Sequence, residues 1–266
     1  MSEEFKEMSF FDHLEELRWR LFRAGLVVVT FALIAFIFKG FIFDEIIFAP
    51  TRPDFIAYEY WCLLIQKMGL GQELCLGNFD FKIINTEMAG QFMVHIKIAL
   101  SIGVIVAFPY LVWELWRFIS PGLKLNELKS SRFAILGSAL LFFFGVFFGY
   151  FVLTPFSLDF LSKYNVSDIV FNTFTLTNYI SFISMLVFAS GIMFQLPMAV
   201  FLLAKMKIIT GEMMVEYWRY AFIVCLILSA IITPPDLASM VMVAIPLFGL
   251  YLLSILIAKK INPQIK

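Results

Sequence analysis

The chain has 266 residues, 61% of them hydrophobic and 15% charged, and its formal net charge at pH 7 is zero. Its mean hydropathy of +0.90 exceeds that of soluble domains, so the composition excludes a water-soluble globular protein and indicates an integral membrane protein. The acid-rich first 20 residues lack a small-residue cleavage site, so we expect the first apolar segment to stay in the membrane.

The segment directly before the first apolar stretch is SFFDHLEELRWRL, residues 9–21. Ser9 followed three residues later by Asp12 is typical of a capping box at the start of a helix. Apolar residues then fall on one helical face, at Phe10, Leu14, Leu17 and Leu21. The pattern predicts an amphipathic helix in the membrane interface, where Glu16 and Arg20 form an ordinary i, i+4 surface ion pair worth about 0.2–0.5 kcal/mol.

Six apolar segments follow, and about 20 helical residues are needed to cross a hydrocarbon core of roughly 30 Å. We place them at residues 21–43, 93–116, 133–153, 179–204, 220–232 and 237–258. The fifth ends at a TPPD turn at 233–236, and we predict short fifth and sixth helices that form a shallow hairpin. The expected fold class is all-α: a polytopic integral membrane protein with six transmembrane helices in a single domain over residues 1–266.

Lysine and arginine are unevenly distributed among the segments that connect these helices. With both termini in the cytoplasm, only six of the 20 lie outside: Lys39, Arg52, Lys67, Lys82, Lys97 and Lys163. The positive-inside rule therefore favours an N-in, C-in topology.

The longest outer loop, residues 44–92, is rich in aromatic and aliphatic residues, so we expect it to fold over the helices. It contains Cys62 and Cys75, which an oxidising compartment would allow to form a disulfide worth about 3 kcal/mol. The sequence equally allows two free thiols buried in an apolar loop.

Catalytic chemistry has no recognisable pattern in this chain. The two histidines, His13 and His95, fit no metal-ligand spacing, and HExxH, GxSxG and P-loop motifs are absent from the sequence. We therefore expect neither an enzyme nor a bound cofactor or metal.

Several motifs resemble those of the TatC family, the receptor subunits of the twin-arginine protein translocase. After SFFDHLEELRWRL they follow in the family's order: WRFISPGL (116–123), FQLP (194–197), TPPD (233–236) and AIP (244–246). They cover nearly the whole chain apart from an enlarged first outer loop. The resemblance implies a protein of the cytoplasmic (inner) membrane that exports folded proteins with twin-arginine signal peptides, using the proton gradient.

The resemblance also implies two glutamates that bind the signal peptide. Glu16 matches the first, because it directly precedes Leu17 and Arg18 of the motif, and Glu127 matches the second, a few residues after PGL. Carboxylates suit this task because they accept bidentate, charge-assisted hydrogen bonds from permanently charged guanidinium groups. Glu15 points away from Glu16 at 100° per residue. Local sequence alone would make Glu127 a solvated loop acid.

Other positions match family residues that support this site. Leu17 and Arg18 follow Glu16, and Arg18 is expected to hold the N-terminal helix against the first inner loop. Phe118 and Pro121 match positions that shape the signal site. Packing and a turn are the simpler explanations of these two residues.

Polar residues inside apolar segments are costly in lipid and usually face protein or water. Gln195 precedes Pro197, which must loosen the fourth helix, and it stands where the family usually has glutamate. An amide carries no proton, so a polar notch for a partner helix is expected there rather than a proton relay. Glu114, between Trp113 and Trp116, is expected to be a snorkelling interfacial acid where the family has an amide.

Two further features concern the remaining helices. Asp236 is expected to cap the sixth helix, where the helix dipole favours a carboxylate, and the family also treats that acid as functionally sensitive. Gly145 and Gly149 form a GxxxG pattern, which indicates close helix packing.

The partners that the resemblance implies are twin-arginine signal peptides, single-span subunits of the TatA/TatB type, other TatC copies and membrane lipid. No nucleic acid is expected. The alternative functions are a secondary transporter, which would show broken helices with ionisable groups near the midplane, and an assembly subunit that needs no acid pair.

Overall fold

The computed structural model describes residues 10–67, 69, 75, 82–119, 131–164, 167, 172–233 and 237–261. The α-helices are α1 (Phe10–Ile37), α2 (Lys39–Phe41), α3 (Ile56–Lys67), α4 (Gly90–Ile119), α5 (Ser131–Phe148), α6 (Thr154–Lys163), α7 (Leu176–Met193), α8 (Leu196–Lys205), α9 (Gly211–Glu216), α10 (Trp218–Ile232) and α11 (Leu237–Ile261). Two π-helical segments, Ile42–Ile47 and Gly149–Leu153, a 3-10 turn at Ala49–Thr51 and two strands, β1 (Lys82–Ile84) and β2 (Thr173–Thr175), complete the described elements.

Five helical stretches in the described part of the chain are long and apolar enough to cross a membrane. They are Leu14–Ile37, Gly90–Phe118, Ile135–Lys163, Leu176–Lys205 and Ser239–Ile261. A sixth apolar helix, α10, is shorter. All six predicted apolar segments therefore form helices, and the prediction of a short fifth one is confirmed.

Two predicted features of these helices are wrong. The sixth helix is not short: α11 has 25 residues, because Pro246 lies inside it without ending it and the apolar run continues towards Ile261. The amphipathic N-terminal segment is not a separate interfacial helix in the described residues. Instead α1 runs without a break from Phe10 into the apolar span, since residues 10–24 contain neither glycine nor proline.

The chain divides into two compact units, the first of which holds residues up to Lys39 together with His95–Ala139. In this unit α1 packs closely on α4 at a glycine. A Cβ added to Gly103 would lie 2.7 Å from the carbonyl oxygen of Val28 and 2.9 Å from the Cβ of Ala32. The absence of a side chain at position 103 therefore lets the two helices approach at backbone distance.

The second unit holds Gly40–Val94 and the chain from Leu140 onward, and it contains the GxxxG pattern of α5 and the following π-helix. A Cβ added to Gly145 would lie 2.6 Å from the carbonyl oxygen of Ser190 on α7, and one added to Gly149 would lie 2.9 Å from the Cα of Val187. The close packing predicted from this pattern is confirmed.

Three tyrosine hydroxyls in the second unit donate hydrogen bonds to backbone carbonyls just after α2. Tyr150 donates to Ile46 at 2.5 Å, Tyr179 to Ile47 at 2.8 Å and Tyr58 to Pro50 at 2.6 Å. We call Tyr58, Tyr150 and Tyr179 the tyrosine clasp. It supplies donors to two carbonyls at the end of the π-helix and to one in the 3-10 turn that follows.

The outer loop 44–92 and the segment between α6 and α7 each contribute one strand to a parallel pair, which no sequence pattern predicted. β1 and β2 pair with Lys82 opposite Thr173 and Ile84 opposite Thr175. Isoleucine, threonine and phenylalanine in these three-residue strands suit an extended backbone. The first loop also contains α3, so its described part is folded, as its aromatic composition predicted.

Candidate functional site

Glu16 lies in the second turn of α1 and forms the predicted i, i+4 pair with Arg20. The Nε and Nη2 atoms of Arg20 both donate to Oε1 of Glu16, and the Nε contact is 3.1 Å long. The pair is not on the surface, however: the side chain of Arg20 is only 8% exposed and that of Glu16 is 28% exposed. Glu16 therefore has a partly exposed side chain, but its Oε1 is bound to a buried guanidinium and its Oε2 is not exposed to solvent.

Arg20 continues from Glu16 to a second acid, Glu114 on α4. Its Nη1 donates to the carbonyl oxygen of Glu114 at 3.2 Å and lies 3.5 Å from the Oε2 atom of the same residue. One planar guanidinium thus joins a carboxylate on its own helix to a residue 94 positions later. The fork of donors on arginine makes such a two-sided contact possible.

Glu114 is the most deeply buried charge of this cluster. Its side chain is 4% exposed, and its Oε1 accepts hydrogen bonds from Nε of Arg23 at 3.1 Å and from the hydroxyl of Tyr110 at 2.9 Å. Burying a carboxylate is costly unless cations and donors surround it, and here two arginines of α1 and one tyrosine of α4 do so. We call Glu16, Arg20, Arg23 and Glu114 the charge network; its two acids and two bases balance.

The prediction that Glu114 snorkels at the membrane interface is wrong. The side chain turns inward because Arg20 and Arg23, which lie on one face of α1 at an i, i+3 spacing, supply two positive charges to it. Sequence reasoning missed this partner, since more than 90 residues separate the acid from both arginines. The available signal was the pair of arginines itself, because Glu16 supplies one negative charge to the two positive charges of Arg20 and Arg23.

The neighbouring pair of charges on α1 is different. Nη2 of Arg18 lies 3.3 Å from Oε1 of Glu15, and both side chains are mostly exposed. The guanidinium of Arg18 also lies 5.9 Å from the centre of the Trp19 ring. Among the described contacts it is Arg20, not Arg18, that connects α1 with α4. The contact expected between Arg18 and the first inner loop falls on residues 120–130, outside the described residues.

The other predicted residues near Glu16 are only partly described. Leu17 and Phe118 are half-buried. Glu127 and Pro121 lie outside the described residues, as do Ser9 of the predicted capping box and Asp236 of the TPPD turn. The pairing of Glu16 with Glu127 therefore stays a prediction.

Gln195 and Pro197 lie at a break between two helices, in the second unit. α7 ends at Met193 and α8 begins at Leu196, with the carbonyl of Gln195 accepting from the backbone of Met198 at 3.0 Å. Pro197 is buried in the first turn of α8, where proline is tolerated because that position needs no backbone donor. Gln195 is half-buried. It lies between the two helices, where the backbone departs from a continuous helix, as the following Pro197 predicted.

Cys62 of α3 and Cys75 are joined by a disulfide, with their Cα atoms 4.8 Å apart. The bridge closes a separation of 13 residues, for which a stabilisation of about 3 kcal/mol is typical. Within the described residues no cluster of three or more histidines, cysteines or acids is placed to hold a metal ion.

Comparison with known proteins assigns the chain to a family. Residues 12–246 match the family model of the Sec-independent protein translocase protein (TatC). The chain is 36% identical over 263 residues to the TatC of Blattabacterium sp. subsp. Periplaneta americana, covering 97% of each protein, and 37% identical over 255 residues to that of Helicobacter pylori, covering 96% of this chain and 88% of the relative. A crystal structure of the twin arginine translocase receptor TatC superposes with a TM-score of 0.70 at 30% identity, covering 94% of this chain and 99% of the other. The chain therefore belongs to the TatC family of Sec-independent protein translocase subunits.

Proposed function

We propose that this protein is the signal-peptide receptor subunit of a twin-arginine translocase, a transport protein and not an enzyme. The observation that carries the proposal is the carboxylate of Glu16. Its side chain is 28% exposed, it directly precedes the Leu17–Arg18 of the family motif, and the buried Arg20 fixes its orientation by binding Oε1. A second acid, Glu127, follows PGL in the sequence and is the other glutamate that binds the signal peptide.

The chemistry of this pair fits a peptide with two consecutive arginines. Guanidinium groups stay charged at any physiological pH and make two parallel hydrogen bonds to one carboxylate. Lysine offers the same charge without that planar fork. One glutamate for each arginine would therefore distinguish a twin-arginine peptide from a twin-lysine peptide by geometry as well as by charge.

The arrangement in the membrane follows from the distribution of basic residues. Six transmembrane helices with both termini in the cytoplasm place Glu16 and Glu127 on the cytoplasmic side of the inner membrane, where precursor proteins arrive. Five of the six helices are long, and the short one, α10, is the fifth along the chain. The bilayer beside α10 therefore has to thin, or neighbouring helices have to shield α10 from the lipid.

Partners of the TatA/TatB type, other copies of the chain and lipid complete the proposed translocase. The break at Gln195 offers a polar notch to a partner helix, and Asp236 would act at the start of α11. Transport draws on the proton gradient, and an amide at position 195 places any proton carrier elsewhere. A secondary transporter also uses broken helices, so the break alone does not separate the two functions.

Binding of a twin-arginine signal peptide to the purified full-length protein in lipid nanodiscs tests the proposal. We expect tighter binding than for the same peptide with two lysines, and loss of crosslinking in Glu16→Ala and in Glu127→Ala. Glu15→Ala is the matched control, because Glu15 is exposed and bound to Arg18 on another face of the helix. Equal affinity for both peptides, or normal crosslinking in the Glu16→Ala, Glu127→Ala double variant, would contradict the proposal.

A further inference from the structure

We propose that Glu114 is a positioning residue that retains Arg20 when an arginine of the signal peptide replaces it at Glu16. This inference rests on the proposed function, since it describes how the carboxylate of Glu16 becomes available to its ligand. It assigns a role to a buried charge that neither motif matching nor membrane topology explains.

The starting arrangement already occupies Glu16 with an internal cation. Two nitrogens of Arg20 donate to the same oxygen of Glu16, so an incoming guanidinium competes with a neighbour held on the same helix. Because the side chain of Arg20 is only 8% exposed, water does not solvate its charge where it lies. Binding of a signal arginine therefore requires another place for the charge of Arg20.

Glu114 provides that place without any movement of the backbone. Nη1 of Arg20 is already 3.2 Å from the carbonyl oxygen of Glu114 and 3.5 Å from its carboxylate. When the contact with Glu16 opens, Arg20 keeps a full negative charge beside it. Without Glu114 the exchange would leave a buried guanidinium with no carboxylate, which is strongly unfavourable.

Accessibility decides which acid receives the ligand. The side chain of Glu16 is 28% exposed, whereas that of Glu114 is 4% exposed. Glu114 is also fixed by Arg23 and by the hydroxyl of Tyr110, both of which bind its Oε1. The signal arginine therefore meets Glu16, and Glu114 stays an internal acceptor.

The exchange predicts the outcome of two variants. Glu114→Gln keeps the shape and the hydrogen-bond acceptor at Oε1 but removes the charge that retains Arg20, so we expect affinity for a twin-arginine peptide to fall roughly tenfold. Arg20→Gln together with Glu114→Gln removes the competing cation as well. This double variant should bind several-fold more tightly than Glu114→Gln alone.

The experiment measures dissociation constants for a labelled twin-arginine signal peptide on the full-length protein in nanodiscs. Glu114→Asp, which keeps the charge on a shorter side chain, should bind more tightly than Glu114→Gln, and Glu15→Gln, in the exposed pair, should bind as the unaltered protein does. If Glu114→Gln binds within twofold of the unaltered protein, or if the double variant is as weak as Glu114→Gln, the exchange is wrong and Glu114 merely supports the fold.

Glu16→Ala in the same experiment separates this inference from the proposed function. Loss of binding in Glu16→Ala with no effect of Glu114→Gln would overturn only the exchange. Unchanged binding in Glu16→Ala would overturn the receptor site itself, and the exchange with it.

Discussion

The contact between α1 and α4 and the segment that follows α2 are held together by different chemistry. In the first, two acids and two arginines form a network of ionised side chains whose net charge is zero, with Arg20 between Glu16 and Glu114. In the second, uncharged phenols of the tyrosine clasp donate to backbone carbonyls, and a disulfide lies in the same loop. Ion pairs can exchange one partner for another, whereas phenol–carbonyl bonds and a covalent bridge only hold a shape.

Removal of one charge from the charge network should have the largest effect on stability. Arg20→Met leaves Glu114 buried beside Arg23 alone, and breaking a buried ion pair typically costs about 3–5 kcal/mol. The free energy of unfolding in mixed detergent micelles measures this loss. Arg18→Met, in the exposed pair with Glu15, is the control and should change stability by less than about 1 kcal/mol. Equal losses of stability in the two variants would contradict the expected difference between the buried and the exposed ion pair.

The disulfide should contribute next. Cys62→Ser should lower the free energy of unfolding by about 3 kcal/mol, because the unfolded chain regains the freedom of the closed loop. Addition of a reductant to the unaltered protein should reproduce the loss and leave the variant unchanged. Equal alkylation of Cys62 with and without reductant would show that the bridge does not form in the cell envelope.

The tyrosine clasp should respond by smaller amounts. Tyr179→Phe removes the donor to Ile47 and leaves a buried carbonyl without that partner, at a cost of about 1–3 kcal/mol. The peptide affinity should not change, because the clasp lies in a different unit from Glu16. A Tyr179→Phe variant with native stability and reduced affinity would reverse the proposed division of roles.

Alkaline pH should lower the free energy of unfolding through Tyr58 of the clasp. Burial raises the pKa of Tyr58 above its ordinary value of 10.0, so the folded state holds this proton more tightly than the unfolded state does. The stability that results is fully present below pH 10 and is lost as the pH rises beyond it, by up to about 1.4 kcal/mol per pH unit. Unfolding measured at pH 9 and pH 11 should show a steeper decline for the unaltered protein than for Tyr58→Phe. Parallel curves would contradict this.

The helices and the family were predictable from sequence, and the charge network was not. A long apolar run in lipid has to satisfy its backbone hydrogen bonds internally, as a helix does, so the sequence predicts all six apolar helices. Pro197 likewise predicts the break beside Gln195. The i, i+4 pair of Glu16 and Arg20 followed from helical spacing. These predictions depend on local sequence.

What failed depends on contacts between distant residues. Glu114 was misjudged because hydropathy and neighbouring tryptophans describe only its own helix, while its partners lie on α1. β1 and β2 have three residues each and are stabilised by pairing with each other, so no pattern within either strand predicts them. The prediction of a short sixth helix failed for another reason, because it followed from a shallow hairpin with the short fifth helix rather than from the length of the apolar run that forms the 25 residues of α11.

The tyrosine clasp also has a consequence for the order in which the protein is made. The carbonyls of Ile46, Ile47 and Pro50 leave the ribosome early, but Tyr150 and Tyr179 follow by 104 and 132 residues. The π-helical turn after α2 therefore cannot acquire all its hydrogen bonds until α7 has been synthesised. Biogenesis of this region is completed by the later helices, so a nascent chain truncated before Tyr179 would carry an unfinished turn however well its first span had inserted.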